Sequence, residues 1–516
     1  MGLRIDMGGL LEKQACQHRD RPFVKMVDDP SWLTYGAFNH KANRIAHGLL
    51  GLGVNKGDYV CLVLRNCVEY LLFSYALKKI AAIEVSINTE FRGVGLVRLL
   101  NLTQAQLIIT ESAFVDVLAD ISHDLAHIKN IMFLDDVDAT STSLARFDHF
   151  TFADTWSNRT DNPKRDIKDT DIAQIQFTSG TTGLSKGLMS SHRHALRKAE
   201  GVAEYCGLNE HDCSYTPWPL FHSGAAHHEV LTVLLTGGRV AIRRRFSASR
   251  FWDDTRALGA TWFMIVGSVE AVLCTPTRKP SDKDNPVRVA FGCPYPVPRR
   301  EFEERFGLKT VDCYGLEDCG YVSSTRPGDG DYSSQGEVRK IYEIRIGDEN
   351  DDPLATGRKG EILIRPREPG VILKGYFGLP EVTAEAFRNQ WFHTGDFGHL
   401  DEQGRLYYHG RLKEVIRRRG ENVMPQEVEE VITTHPSVGE CVVIGVPSEV
   451  GEFDVKVYVV LVAGKRLGAA ELKAWCQGRL ASFQIPEYVE FLDEIPRTPT
   501  GKPALAKLHM VEDRAQ

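Results

Sequence analysis

No apolar run in this chain of 516 residues reaches the roughly 18 that a membrane-spanning helix needs, so no membrane span is expected. Met1 to Gln14 carries Arg4, Asp6, Glu12 and Lys13 and has no apolar segment of signal-peptide length. The eleven cysteines are odd in number, scattered from Cys16 to Cys476, and contain no Cys-x-x-Cys pair. That excludes a disulfide framework and the usual zinc spacings, and with the missing leader it predicts a cytoplasmic protein. A surplus of positive charge is also missing. The net charge of -7 argues against a broad nucleic-acid surface, and the basic run Arg243 to Arg245 is read as a solvated face. Neither low-complexity tracts nor internal repeats are seen.

What is present is ordinary globular material, 42% hydrophobic and 25% charged, too long for one core and therefore expected to form at least two domains. Helical and strand patterns alternate through most of the chain. Tyr35 to Leu50 and Val68 to Ile80 have helical spacing, whereas Tyr59 to Leu64, Leu107 to Thr110 and Ile131 to Leu134 are short apolar strands. This pattern predicts α/β layers with largely parallel sheets, whose ligands bind at the carboxyl ends of strands. From Glu361 to Tyr408 the texture becomes that of a small β-rich lobe. After Gly410 the pattern restarts, with helices at Pro425 to Thr433 and Ala469 to Leu480 and strands at Cys441 to Val446 and Val455 to Val462. The expected division is therefore 1–410 and a small α+β domain at 411–516.

One stretch stands apart: Thr178, Ser179, Gly180, Thr181, Thr182, Gly183, Leu184, Ser185, Lys186 and Gly187 follow a strand-like Ile172 to Phe177. Glycines admit close backbone approach, hydroxyls donate hydrogen bonds, and one lysine supplies a mobile charge, which together suit a polyphosphate. Ser185 before Lys186 excludes the Walker A pattern. Downstream come Pro219-Leu220-Phe221-His222, then Cys313-Tyr314-Gly315-Leu316-Glu317-Asp318, then His393-Thr394-Gly395-Asp396. Gly410-Arg411-Leu412-Lys413 with Gly420-Glu421-Asn422, and finally Pro499-Thr500-Gly501-Lys502, complete the set. Each alone reads as a turn or a solvated charge; their order does not.

In that order the six elements resemble the adenylate-forming, or AMP-binding, superfamily in its acyl-CoA synthetase branch, over about Leu33 to Leu508. In length and texture the chain is similar to carnitine and crotonobetaine CoA ligases. The resemblance implies a large N-terminal AMP-binding domain of two stacked α/β subdomains with the β-rich lobe, and a mobile C-terminal lid carrying the catalytic lysine. It implies an ATP-dependent acid:CoA ligase using ATP, Mg²⁺, CoA and a small carboxylic acid, and leaves a homodimer open. Thr178 to Lys186 would grip the β- and γ-phosphates, Tyr314 with Gly315 would stack on adenine, and Gly292, Cys293 and Pro294 would line its other side. Asp396, aided by Arg411, would hold the ribose. His222 would gate the carboxylate pocket and Lys502 would reach the substrate carboxylate and the α-phosphate. Lys413 would be the hinge, and Gly420, Glu421 and Asn422 would meet the thiol, with Arg417 to Arg419 near the CoA phosphates.

Two departures matter. Family members carry Tyr-Gly-x-Thr-Glu where this chain has Glu317 and Asp318, so both acids are candidate metal ligands and Glu317 adds a charge in place of a hydroxyl. Ser185 replaces a proline in the loop, and Pro503 follows Lys502. The acyl pocket is expected among Ser223, Gly224, His227, His228 and Glu229 with Gly292 to Tyr295, suited to a short or polar acid. Glu229 is either a partner for a cationic substrate or a surface helix acid. The rival readings are an enzyme that loads a carrier-protein thiol and a non-catalytic binder of nucleotide or acyl-adenylate.

Overall fold

The computed structural model describes residues 4–137, 143–164, 166–178, 186–265, 267–292, 298–418, 421–448, 453–497, 503–505 and 508. They form two compact units, 1–343 with 366–388, and 344–365 with 389–516.

The first unit is built on two sheets. One runs in spatial order Asp148–Thr151, Asn130–Phe133, Leu107–Thr110, Tyr59–Val63, Ile83–Ser86, Ile172–Thr178 and Lys186–Ser191. Its strands are parallel except the last pair. Along Tyr59–Val63, Val60 and Leu62 enter one core while Cys61 and Val63 enter another, the period-2 consequence of a strand covered on both faces. The second sheet has nine strands, in order Glu337–Val338, Gly320–Ser324, Lys309–Leu316, Val289–Gly292, Trp262–Ile265, Cys213–Thr216, Arg239–Ile242, Pro22–Met26 and Leu33–Thr34. Its central strands are parallel and its margins antiparallel.

A single core joins the sheets through the helices between them. Val60 and Leu62 of the first sheet and Val240 and Phe291 of the second share it with Phe38, Leu71 and Leu196 of helices Tyr35–Gly51, Val68–Lys79 and His192–Cys206. The first two helices fall within one residue of their predicted ends. Thr34 caps the first, accepting from the Ala37 amide at 3.2 Å, and the Cys67 sulfur caps the second. This helical layer carries the polar groups described below.

The second unit begins with a four-stranded sheet of Tyr342–Gly347, Gly360–Pro366, Phe392–Leu400 and Leu406–Arg411, the expected β-rich lobe. A hairpin follows, Ile416–Arg418 against Glu421–Val423. Strands Val438–Pro447 and Phe453–Leu461 pair antiparallel and Tyr488–Phe491 joins parallel. Helices Pro425–Thr433 and Ala469–Cys476 bury Val428, Ile432 and Leu472 against this sheet. The Gly410–Arg411 boundary expected from sequence falls inside this unit, where Phe397 pairs with Gly410 and Asp396 with Arg411.

Candidate active site

In the first unit the hairpin of Ile172–Thr178 and Lys186–Ser191 opens at Thr178, which is paired with Lys186. The two ends of the hydroxyl-rich loop are thereby neighbours. Ser179, Gly180, Thr181, Thr182 and Gly183 lie outside the described residues. The Lys186 ammonium stands over the Tyr376 ring, 5.0 Å from its centroid. The Tyr376 hydroxyl donates to Asp318 Oδ1 at 2.5 Å, and the Asp318 carbonyl accepts from the Leu373 amide at 2.8 Å. Burial raises the Asp318 pKa and the charge of Glu317 adds to the rise, although the tyrosine bond opposes it. It is a carboxylate short of positive charge.

Tyr314 and Gly315 end the strand Lys309–Leu316, with Tyr314 buried. Glu317 follows and turns inward. It forms an ion pair with Lys198 of helix His192–Cys206 and accepts from the Ser223 hydroxyl. With the Gln176 amide oriented to satisfy its neighbours, its nitrogen donates to Glu317 Oε1 at 2.9 Å and its oxygen accepts from the Ser223 amide at 3.1 Å. Burial opposes ionisation of Glu317, but the Lys198 charge and these hydrogen bonds prevail and hold its pKa down to about 2. Gly320 makes room for the pair: at φ 72° it lacks a Cβ, which would lie 2.8 Å from Lys198 Cγ. The charge that replaces the family's hydroxyl is therefore neutralised from within.

His222 follows a turn in which its amide donates to the Pro219 carbonyl at 3.1 Å, and burial lowers its pKa. Gly224–Val230 is a π-helical segment that runs into helix Leu231–Thr236. It buries His227, His228 and Glu229 together. His228 Nδ1 meets the Tyr321 hydroxyl at 2.8 Å, whereas both nitrogens of His227 and Nε2 of His228 have no hydrogen-bond partner among the described residues.

Glu229 corrects one of its two sequence readings. It is 0% exposed, so it is no surface acid; its Oε1 accepts from Ser214 at 3.1 Å and from the Met264 amide at 3.0 Å. Burial pushes its pKa up to about 8, which favours the uncharged carboxyl near neutrality when no cation stands beside it. Gly292 ends the strand Val289–Gly292, while Cys293, Pro294 and Tyr295 lie outside the described residues.

In the second unit Asp396 is buried on the strand Phe392–Leu400. Arg411 Nη1 reaches Asp396 Oδ1 at 3.0 Å and donates to the Thr394 carbonyl at 3.1 Å. Gly395, at φ 66°, turns the chain here, and its amide donates to Glu361 Oε1 at 2.9 Å. His393 bridges Glu361 Oε2 at 3.1 Å and Asp351 Oδ2 at 3.5 Å, which makes a carboxylate–imidazole–carboxylate support beneath the turn. Lys413 lies in the short turn Leu412–Glu414, and Glu421 and Asn422 on the second hairpin strand; Gly420 and Lys502 lie outside the described residues. Arg418 corrects another expectation. It is buried and bound to Asp454 at 3.0 Å, Glu487 at 2.8 Å and the carbonyls of Phe483 and Ile485, so it is committed to the fold rather than to CoA phosphates.

Residues 11–377 carry the signature of the AMP-binding enzyme and residues 427–502 that of the AMP-binding enzyme C-terminal domain. The chain belongs to the AMP-binding enzyme family. The crotonobetaine/carnitine–CoA ligase of Salmonella paratyphi B is 31% identical over 477 residues, with 91% of each chain covered. A fatty acyl CoA synthetase from Mycobacterium tuberculosis superposes with a TM-score of 0.76 at 26% identity, covering 99% of both chains. The anthranilate CoA ligase AuaEII, in complex with anthranoyl-AMP, shares the fold at a TM-score of 0.89 and 22% identity, over 100% of this chain and 98% of its own. Within the AMP-binding enzyme family the chain stands among the AMP-forming acid–thiol ligases. No helix among the described residues is long and apolar enough to cross a membrane.

Sequence reasoning missed Lys198, Gln176, Tyr321 and Tyr376. Lys198 lies four residues after His194 on one helix face, a spacing that signals a shared environment. Tyr376 carries no such signal; only the fold brings it to Asp318.

Proposed function

We propose that the chain activates a carboxylic acid with ATP, forming an acyl-adenylate and pyrophosphate, and then passes the acyl group to CoA with release of AMP. The observation that carries this is the meeting of the loop lysine, Lys186, and the motif acid, Asp318, on one residue, Tyr376. A cation donor for a polyphosphate and a carboxylate short of positive charge stand together at the strand ends, where α/β proteins bind ligands. The donor set fits one Mg²⁺: Asp318 supplies a hard oxygen ligand, and phosphate oxygens and water supply the rest. When bound, the ion would offset the polyphosphate charge. Glu317, engaged on both oxygens, leaves that role to Asp318.

Lys186 and the loop hold the departing pyrophosphate, Tyr314 the adenine, and Asp396 with Arg411 the ribose. His222, neutral through burial, borders the reacting carboxylate. Lys502 offsets the repulsion between the attacking carboxylate and the α-phosphate, so the first step is positioning and electrostatics rather than covalent catalysis. The second step needs the thiol to approach, and residues 411–516 turn about Lys413 to exchange Lys502 for Gly420, Glu421 and Asn422. The test is pyrophosphate release over a panel of carboxylic acids with ATP and Mg²⁺, with and without CoA. CoA-dependent AMP release supports the ligase; AMP formed only with a carrier protein overturns it. Lys502→Ala abolishes adenylation but leaves thioesterification of supplied acyl-adenylate largely intact, and equal loss of both steps refutes domain alternation.

A further inference from the structure

We propose that the acyl group taken by this enzyme bears an uncharged polar substituent, a hydroxyl or carbonyl, that hydrogen-bonds to His227 and His228. The inference rests on the acid:CoA ligase reading and deepens it. His227 is 2% exposed, and among the described residues neither of its nitrogens has a hydrogen-bond partner; His228 spends Nδ1 on Tyr321 and leaves Nε2 unmatched. A third buried imidazole, His194, bonds Ser190 through Nδ1 at 3.2 Å and leaves its own Nε2 unmatched. Unpartnered polar atoms at such depth are rare because each forfeits the hydration it had in the unfolded chain, so a cluster of them calls for a ligand that matches them.

Charge decides which ligand. Burial holds all three imidazoles neutral, with His228 pushed down to about 3, and nearby Lys198 disfavours their protonation. A second carboxylate on the substrate needs a cation, and Lys198 is committed to Glu317. A quaternary ammonium needs an anion; Glu317 is neutralised by Lys198, and burial favours the uncharged form of Glu229. A neutral imidazole offers one N–H and one lone pair. A hydroxyl answers both, and a carbonyl answers the N–H. Gly224–Val230 begins two residues after His222, within the stretch in which the sequence places the acyl pocket.

The probes are butanoate, its β-hydroxy and β-oxo derivatives, succinate and γ-trimethylammoniobutanoate, with benzoate and para-hydroxybenzoate as an aromatic pair. Each is measured by pyrophosphate release with ATP, Mg²⁺ and CoA. In at least one series the hydroxy or oxo acid exceeds its unsubstituted parent in kcat/KM by about 100-fold, the order expected when the wrong ligand leaves one buried polar group unpaired. His227→Phe collapses that ratio to within about threefold, and His227→Asn, which keeps a donor and an acceptor, retains part of it. Preference for an unsubstituted acid, succinate or the trimethylammonium acid overturns the inference but leaves the ligase intact. So does an equal loss for all acids in both variants at unchanged melting temperature. Absence of pyrophosphate from every acid overturns the ligase reading, and this inference with it.

Discussion

Two polar regions share the helical layer of the first unit, and they are finished to different degrees. Around Glu84, wholly buried, Oε1 accepts from Tyr70 at 3.0 Å, Ser86 at 2.7 Å and Gln174 at 2.9 Å, and Oε2 from Ser74 at 2.6 Å and Lys78 at 2.5 Å. Burial opposes its ionisation, yet the Lys78 charge and these bonds keep its pKa low. Within electrostatic reach of the same Lys78, both nitrogens of His227 have no hydrogen-bond partner among the described residues. Apart from Gln174 Oε1, which has no hydrogen-bond partner among the described residues, the Glu84 network is closed, and it fixes how a helix sits on a sheet. An open one stores unmet hydrogen-bonding capacity for something that comes and goes.

The sharpest way to break this contrast is to open the closed network. Glu84→Ala strands the Lys78 ammonium in the core and should cost about 3–5 kcal/mol in urea unfolding, with the order of acid preference unchanged. A shift in preference would mean that the two regions are one. Next comes Lys198→Ala, which strands Glu317, a side chain still 23% exposed. Its stability cost should be smaller, about 1–3 kcal/mol, while ATP–pyrophosphate exchange falls because an unneutralised Glu317 adds to the repulsion at Asp318. Replacing both partners, Lys198→Met with Glu317→Leu, should restore most of the stability.

The smallest effect belongs to Glu229, whose Oε1 is bound to Ser214 and the Met264 amide. Its folded pKa of about 8 lies above its ordinary value of 4.5, so its contribution is complete below about 4.5 and is lost as pH rises through about 8. Between about pH 7 and 9 the stability of wild type should therefore fall by about 1.4 kcal/mol relative to Glu229→Gln. Parallel pH profiles would show that Glu229 is charged in the fold and return it as a counter-ion for a cationic acid.

The fold was legible where periodicity is local. The Tyr35–Gly51 and Pro425–Thr433 helices and the first parallel strands follow from spacing and caps, because a helix or strand shows its buried face within a dozen residues. The site was legible as a succession of motifs and illegible as an electrostatic unit. Glu317 looked like a surplus charge because its cation lies 119 residues upstream. Arg418 looked available to the CoA phosphates because Asp454 and Glu487, which bury it, arrive from later strands and turns. Glu229 looked exposed because a π-helical turn breaks the 3.6-residue spacing by which helix faces are read.

That turn, Gly224–Val230, has a consequence for how such a protein changes over generations. A π-helical segment closes i→i+5 and holds more chain per turn than the α-helix it joins. Adjacent His227 and His228 are both directed inward, although an α-helix would part their faces. Loss of a single residue here lets the segment relax into ordinary helix and turns one imidazole away, with neither sheet disturbed. On the acyl preference proposed above, insertion or deletion at this turn, rather than substitution, is the short step to a different substrate.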